Sequence, residues 1–228
     1  MIRNVLYVHG LESGPNGRKA RHLATAGFNV VAKQMPCGRA QILRDPVVML
    51  LIGSAVALLG VCTVLGGWIG LASCAAIEVA SVPFVRPCVF RRIWRLSVEV
   101  QSQALKENAI DLVVGSSFGG AVALELLRNG AWSGPTLLLC PAHNRLAERA
   151  GLPVPKPPMP AAVASRVVVV HGRKDDIVPL SDSQALVEGT SARLLVVDDD
   201  HRLSATADPA RFAEWIALLD QPNELKSL

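Results

Sequence analysis

Residues 111–120 read Asp111-Leu112-Val113-Val114-Gly115-Ser116-Ser117-Phe118-Gly119-Gly120. A short apolar run, rich in β-branched residues, closes on a glycine, and a stretch with helix-like character follows over 119–128. That order describes a strand turning at once into a helix. Glycines around Ser117 permit a bend too tight for a Cβ, and such a bend lifts the central side chain above the sheet. The amino terminus of the following helix favours negative charge developing beside it. Ser117 is the candidate nucleophile; the competing reading is a Gly/Ser turn that merely packs helix on sheet.

Working outward, similar apolar runs recur at 2–8, 28–32, 136–140, 166–170 and 193–197. Near-continuous Val and Leu means strands buried on both faces, as in a parallel sheet. Helix-like stretches alternate with them at 18–26, 98–108, 180–188 and 209–219. The expectation is an open, doubly wound α/β sheet of about six strands flanked by helices. Sites in such sheets lie beyond the carboxyl ends of the strands. Two segments break the alternation. Residues 141–165 hold six prolines and predict an irregular excursion with at most a short helix. Residues 39–96 are an apolar insertion.

A serine hydroxyl needs a base. His201 follows the last strand and precedes the final helix, so it comes after both serine and acid in chain order. His9 and His171 each precede a glycine at a strand end and predict turn-shaping roles. His22 falls on an expected exposed helix face, and His143 begins the proline-rich excursion, where it could line a pocket. The acid that orients the imidazole is expected after the strand at 166–170, where Asp175 and Asp176 compete. The pattern His171-Gly172-x-x-Asp175-x-x-Val178-Pro179 favours Asp175 and leaves Asp176 in solvent. Asp198, Asp199 and Asp200 read as a charged, solvated loop, with Asp200 able to help position His201. Donors for a tetrahedral oxyanion are expected from the backbone N–H groups of Phe118 and Leu11.

Tyr7-Val8-His9-Gly10, Gly115-Ser116-Ser117-Phe118-Gly119-Gly120, the segment from His171 to Pro179, and Asp200-His201-Arg202-Leu203 together resemble the α/β-hydrolase superfamily. More narrowly, the chain is similar to small, compact bacterial serine esterases. The likeness covers residues 1–38 and 97–228, which are expected to form the hydrolase core. It implies hydrolysis of carboxylic esters or thioesters through an acyl-enzyme on Ser117, with no metal or organic cofactor. A non-catalytic membrane scaffold on the same fold is the rival from another class. The chain departs from larger members in lacking two leading strands, and from nearly all members in its insertion.

Composition narrows the partners. The net charge is +4, with 23 Lys and Arg against 19 Asp and Glu, and aromatics make up 4%. The cations form no long run interleaved with aromatics, which excludes a nucleic-acid surface. Five cysteines without a C-x-x-C pair read as reduced, buried thiols in a cytosol-facing protein. The opening MIRNVLYVHG reads as a strand, not a cleavable signal.

From Val47 to Ile77 no residue is charged, and Glu78 is the one exception before Arg86. The run exceeds the roughly 20 residues of one membrane span. The strands on either side belong to one sheet, so both ends of the insertion lie on the same side of a membrane. A helical hairpin over about residues 47–85, contacting lipid and turning at Gly66-Gly67, satisfies both demands. Gly53 with Ala57, and Ala72 with Ala76, would let its arms approach closely. Arg39 and Arg44 before it, and Arg86, Arg91, Arg92 and Arg95 after it, put the core on the cytoplasmic side. Glu78 is expected near the membrane interface. The competing reading is a hydrophobic cap that shelters the site or packs against a second copy of the chain.

Overall fold

Valine and leucine runs align side by side in a computed structural model that describes residues 2–11 and 13–220. Six strands form one parallel sheet: β1 (Asn4–Val8), β2 (Asn29–Val31), β3 (Leu112–Ser116), β4 (Thr136–Leu139), β5 (Val167–Gly172) and β6 (Arg193–Val197). Their order is β2-β1-β3-β4-β5-β6. Alternate residues of each strand point to opposite faces. Leu6, Val8, Val113, Leu138 and Val169 enter one core, and Val5, Tyr7, Leu112, Val114 and Leu137 enter the other. Helices cover both faces, which is why the strands are apolar without interruption. Helix α1 (Arg18–Thr25) and α8 (Pro209–Ala217) pack together over the second core. Over the first lie α4 (Phe118–Arg128), the end of α3 (Pro46–Glu107) and Leu186 of α7 (Leu180–Val187).

The excursion after β4 is more ordered than its prolines suggest. It holds α5 (His143–Arg149) and α6 (Ala161–Ala164), whose Leu146, Ala147 and Val163 are buried. Proline interrupts helices but leaves apolar stretches between interruptions free to pack. The insertion opens with a further short helix, α2 (Arg39–Arg44).

Helix α3 is two arms. Asp45 caps it, accepting from the N–H groups of Val47 and Val48, and the chain reverses at Gly67, where φ is 56° and ψ −143°. Glycine reaches that conformation without a Cβ penalty. Asp45 at the start of the outgoing arm pairs with Arg92 on the returning arm at 3.1 Å. Near the turn, a Cβ on Gly70 would stand 2.1 Å from the Cys62 carbonyl oxygen. The insertion is therefore a helical hairpin. Its seam differs from the expected one: Gly53 has open space around it, and Ala57, Ala72 and Ala76 are exposed. Cys62, Gly70 and Cys74 form the close approach instead, because rotation of the arms turns that stripe inward. Glu78 lies half-buried four residues beyond Cys74, whose thiol is 4.0 Å from its carboxylate.

The hairpin's outer surface is apolar. Its best 18-residue window has a mean hydropathy of 2.6, with none of that window buried. Leu65 is 82% and Trp68 86% exposed at the tip. Residues 46–66 rise about 30 Å at ~1.5 Å per residue, close to the thickness of a bilayer's hydrocarbon core. An exposed apolar surface of this length supports membrane association. The returning arm runs through residues 96 and 97 without a break, and its Ile93, Ser97, Gln101 and Ala104 are buried. The hairpin is thus continuous with the helix that packs on α4.

Candidate active site

Ser117 stands between β3 and α4 with φ 56° and ψ −116°, a conformation rare for a residue with a side chain. The surroundings hold it there. Its N–H donates to Leu139 at 2.8 Å, and its carbonyl accepts from Gly120, Ala121 and Ala142. A Cβ on Gly119 would lie 2.0 Å from the Val8 carbonyl oxygen, so glycine lets α4 start directly against β1. Phe118 is the first residue of α4, and N–H groups of a first helical turn have no partner within the helix. Leu11, after β1, lines the cleft beside Ser117. These are the two segments expected to supply oxyanion donors.

His201 reaches Ser117 from the loop after β6. Its Nε2 is 2.8 Å from Ser117 Oγ, and its Nδ1 is 2.7 Å from Asp175 Oδ2. An ionised carboxylate only accepts, so Nδ1 carries the proton and Nε2 is free to accept from the serine hydroxyl. Asp175 Oδ1 accepts from the N–H groups of Ile177 and Val178 at 2.9 and 2.8 Å. Burial raises the Asp175 pKa, but hydrogen bonds from His171, His201 and Val178 outweigh it and hold the carboxyl well below the ordinary carboxylate range. Asp176, its competitor, is exposed.

A second serine–histidine pair also meets Asp175. His171 Nδ1 lies 2.7 Å from Ser183 Oγ, and its Nε2 lies 3.0 Å from the Val178 carbonyl and 3.3 Å from Asp175 Oδ2. This pair is sealed: Ser183 and His171 have no solvent exposure. Ser117 and His201, by contrast, line a cleft of about 540 Å³. Ser–His–Asp geometry of the serine-hydrolase type is therefore present, and one of its two arms opens to solvent. Cys140 completes the buried cluster, its ligand atom within 4.8 Å of those of His171 and Asp175. Burial pushes the Cys140 thiol up to about 12, so it stays neutral.

The aspartate run before His201 is not a solvated loop throughout. Asp199 is buried and accepts from Ala205 N–H, Thr206 N–H and Thr206 Oγ1 at 2.9, 2.8 and 2.8 Å, clamping the loop that carries His201. Asp200 accepts from Arg202 N–H, while Asp198 pairs with Lys174 at the surface. His22 is half-buried, 2.6 Å from the Ala207 carbonyl, because α8 packs against α1. His9 bridges the Gly10 carbonyl and Met35 N–H, and burial lowers its pKa, keeping it neutral. His143 is 3.2 Å from the Pro141 carbonyl. All five cysteines are free, with Cys37, Cys74 and Cys140 buried, Cys62 intermediate and Cys88 exposed.

Two cavities meet at Ser117. The wide cleft contains His201. A narrow pocket of about 80 Å³ lies against Leu11, Phe118, Leu146 and Val178, and Phe90 of the hairpin's returning arm closes it. Arg86 and Arg149 stack on the Phe90 ring at 5.9 and 5.8 Å, and Arg91 Nε donates to the Ala150 carbonyl at 2.6 Å. The base of the hairpin is thus part of the site wall. A larger groove of about 920 Å³ between α3 and α4 touches neither Ser117 nor His201.

No family model matches the sequence, and no curated protein matches it either. Solved structures do. A protein of the alpha/beta hydrolase superfamily from Xanthomonas campestris pv. campestris is 23% identical, with 96% of this chain and 99% of that one covered and a TM-score of 0.52. Mouse alpha/beta hydrolase domain-containing protein 10 is 16% identical over 95% of this chain and 88% of its own, with a TM-score of 0.51. A CIB-like hydrolase from Thermoplasma acidophilum is 15% identical over 96% and 84%, with a TM-score of 0.50. Likeness at these identities speaks for the fold, and together with the sheet order it makes the chain an α/β-hydrolase-fold protein carrying a long apolar helical insertion.

Proposed function

We propose that this protein is a membrane-associated serine hydrolase that cleaves carboxylic esters, with Ser117 as nucleophile, His201 as general base and acid, and Asp175 orienting the imidazole. The observation that carries the assignment is the unbroken chain from Ser117 Oγ through both nitrogens of His201 to Asp175, opening on a cleft. Ser117 Oγ attacks the ester carbonyl carbon while its proton passes to His201 Nε2. The tetrahedral oxyanion is received by the N–H groups of Phe118 and Leu11. As the carbon–oxygen bond to the alcohol breaks, His201 returns the proton to the departing oxygen, leaving an acyl-Ser117 ester. Water, deprotonated by His201, releases the acid and restores the serine.

Burial argues against Ser183 as a nucleophile, since a substrate carbonyl cannot reach a hydroxyl without solvent exposure. In this reading Ser183 and His171 brace Asp175 from behind. Residues 39–96 act as the membrane unit, and residues 1–38 and 97–228 as the hydrolytic core. The arginines flanking the hairpin favour a core on the cytoplasmic side. With Phe90 in the site wall, acyl chains would reach Ser117 close to the lipid surface.

The test is labelling with a serine-directed fluorophosphonate, followed by mapping of the adduct. The parent should label at Ser117, and Ser117→Ala should neither label nor hydrolyse esters. Ser183→Ala should still label. An adduct on Ser183, or normal turnover by Ser117→Ala, would overturn the assignment.

A further inference from the structure

The two cavities that meet at Ser117 touch different parts of the machinery. His201 lines the wide cleft but not the narrow pocket, and Phe118, an expected oxyanion donor, lines the narrow pocket but not the cleft. On the assignment above, His201 must hand its proton to the departing oxygen. The alcohol portion of the ester therefore lies in the wide cleft, and the acyl portion in the narrow pocket.

The narrow pocket is small. It holds about 80 Å³, against about 540 Å³ for the cleft. A cavity of about 150 Å³ accepts benzene, so this one has room for roughly three carbons. Phe118 and Leu146 of its wall belong to the buried core, and close packing leaves them little freedom to step aside for a longer chain. Arg145 and Arg149 line it as well; both are exposed residues, and such side chains lay apolar stems along a pocket while holding the charge in water. Phe90 is the wall contributed by the hairpin's returning arm. It is half-buried against the core, and Arg86 and Arg149 stack on its ring at 5.9 and 5.8 Å. Trimming this ring would lengthen the pocket without emptying the core.

We infer that the substrate is an ester joining a short acyl group, about two to four carbons long, to a much larger alcohol, and that Phe90 sets the acyl length. The inference rests on the assignment of Ser117 and His201 given above. Because Phe90 belongs to residues 39–96, the apolar insertion also decides which acyl group is cut.

The experiment uses the full chain in neutral detergent micelles and two series of esters. In the first, para-nitrophenol carries acetyl, butyryl, octanoyl or dodecanoyl groups. In the second, butyrate is joined to ethanol, hexanol or dodecanol, whose oxygens leave with similar ease. From acetyl to butyryl, kcat/KM should rise by about four-fold per carbon, equivalent to ~0.8 kcal/mol for each buried methylene. From butyryl to octanoyl it should fall by about ten-fold or more, because overfilling a packed site is unfavourable. The alcohol series should show no such fall. Phe90→Ala should raise the octanoyl-to-butyryl ratio by about ten-fold or more, and Phe90→Trp should lower the butyryl-to-acetyl ratio several-fold. Each ratio is read within one protein, fluorophosphonate labelling verifies that the variant is folded, and either variant alone decides. Labelling of Ser117 with a flat acyl profile, with a profile that a folded variant leaves unmoved, or with no turnover of any ester would overturn the short-acyl assignment alone. A fall along the alcohol series beside a flat acyl series would exchange the two cavities and overturn it as well. Absence of both labelling and turnover would overturn it together with the hydrolase assignment.

Discussion

Asp175 is held between two histidines in opposite surroundings, one sealed and one facing the cleft. Its carboxylate carries different weight for chemistry and for stability. For chemistry, Asp175→Asn removes the charge that stabilises the His201 imidazolium and disturbs its tautomer, so kcat should fall by about four orders of magnitude. Asp176→Asn, altering an exposed neighbour, should stay within a few-fold; the reverse ranking would place the acid at the other residue. For stability, the native pKa of Asp175 lies below its unfolded value of about 3.9. Its contribution is therefore full above that pH and is lost as pH falls through the depressed native value. Urea unfolding of parent and Asp175→Asn should show a gap near neutrality that narrows as the pH drops below about 4. A constant gap would mean that the carboxylate is not preferentially ionised in the fold. Ser183→Ala should lower the unfolding free energy by about 1–3 kcal/mol by stripping a buried imidazole of a hydrogen-bond partner, while kcat changes far less than in Ser117→Ala.

Elements with a local signature were legible in the amino-acid order. Each strand is a run of valine and leucine, and the strand-to-helix elbow at Ser117, between β3 and α4, announces itself because glycines are demanded within a few residues of it. The hairpin turn at Gly67 could be read because an uncharged run must reverse for both flanking strands to join one sheet. What escaped depends on contacts distant along the chain. Lys19 meets Ser116 across 97 residues, and the His171–Ser183 bond links a strand end to a helix interior. Phe90 enters the site because an expected core helix and the hairpin's returning arm are one continuous helix. Asp199 looked solvated among three aspartates, and its burial follows from Thr206, whose partnership no periodicity marks. The elbow gives a prediction at this scale. Gly119→Ala would drive a methyl to 2.0 Å from the Val8 oxygen, backbone that cannot step aside. Thermal unfolding should show a destabilisation of about 1–3 kcal/mol or more from this overpacking. A neutral substitution would mean that α4 does not abut β1 so closely.

The molecule as a whole joins a rigid α/β core to an apolar hairpin through one uninterrupted helix, and this decides how the two can be separated. Ile93 is buried in the core, Phe90 walls the narrow pocket beside Ser117, and Arg92 holds Asp45. Removing everything from 39 to 96 would therefore damage the site along with the anchor. Residues 49–84 form the outer part of the hairpin, and the Asp45–Arg92 pair keeps its two stems adjacent. Replacing 49–84 with a short Gly/Ser linker should preserve fluorophosphonate labelling while moving the protein from the membrane to the soluble fraction. Burying one arm in lipid is worth many kcal/mol at about 25 cal/mol per Å² of apolar surface, so the core should not remain bound without it. In sealed vesicles, epitopes inserted at the exposed turns Gly27 and Gly189, on opposite sides of the hairpin in sequence, should show equal accessibility because their flanking strands share one sheet. Full-length protein that stays soluble without detergent would mean that the apolar surface is covered by another protein surface. Epitopes on opposite sides of the bilayer would contradict the sheet itself, since a hairpin returns the chain to the side it left.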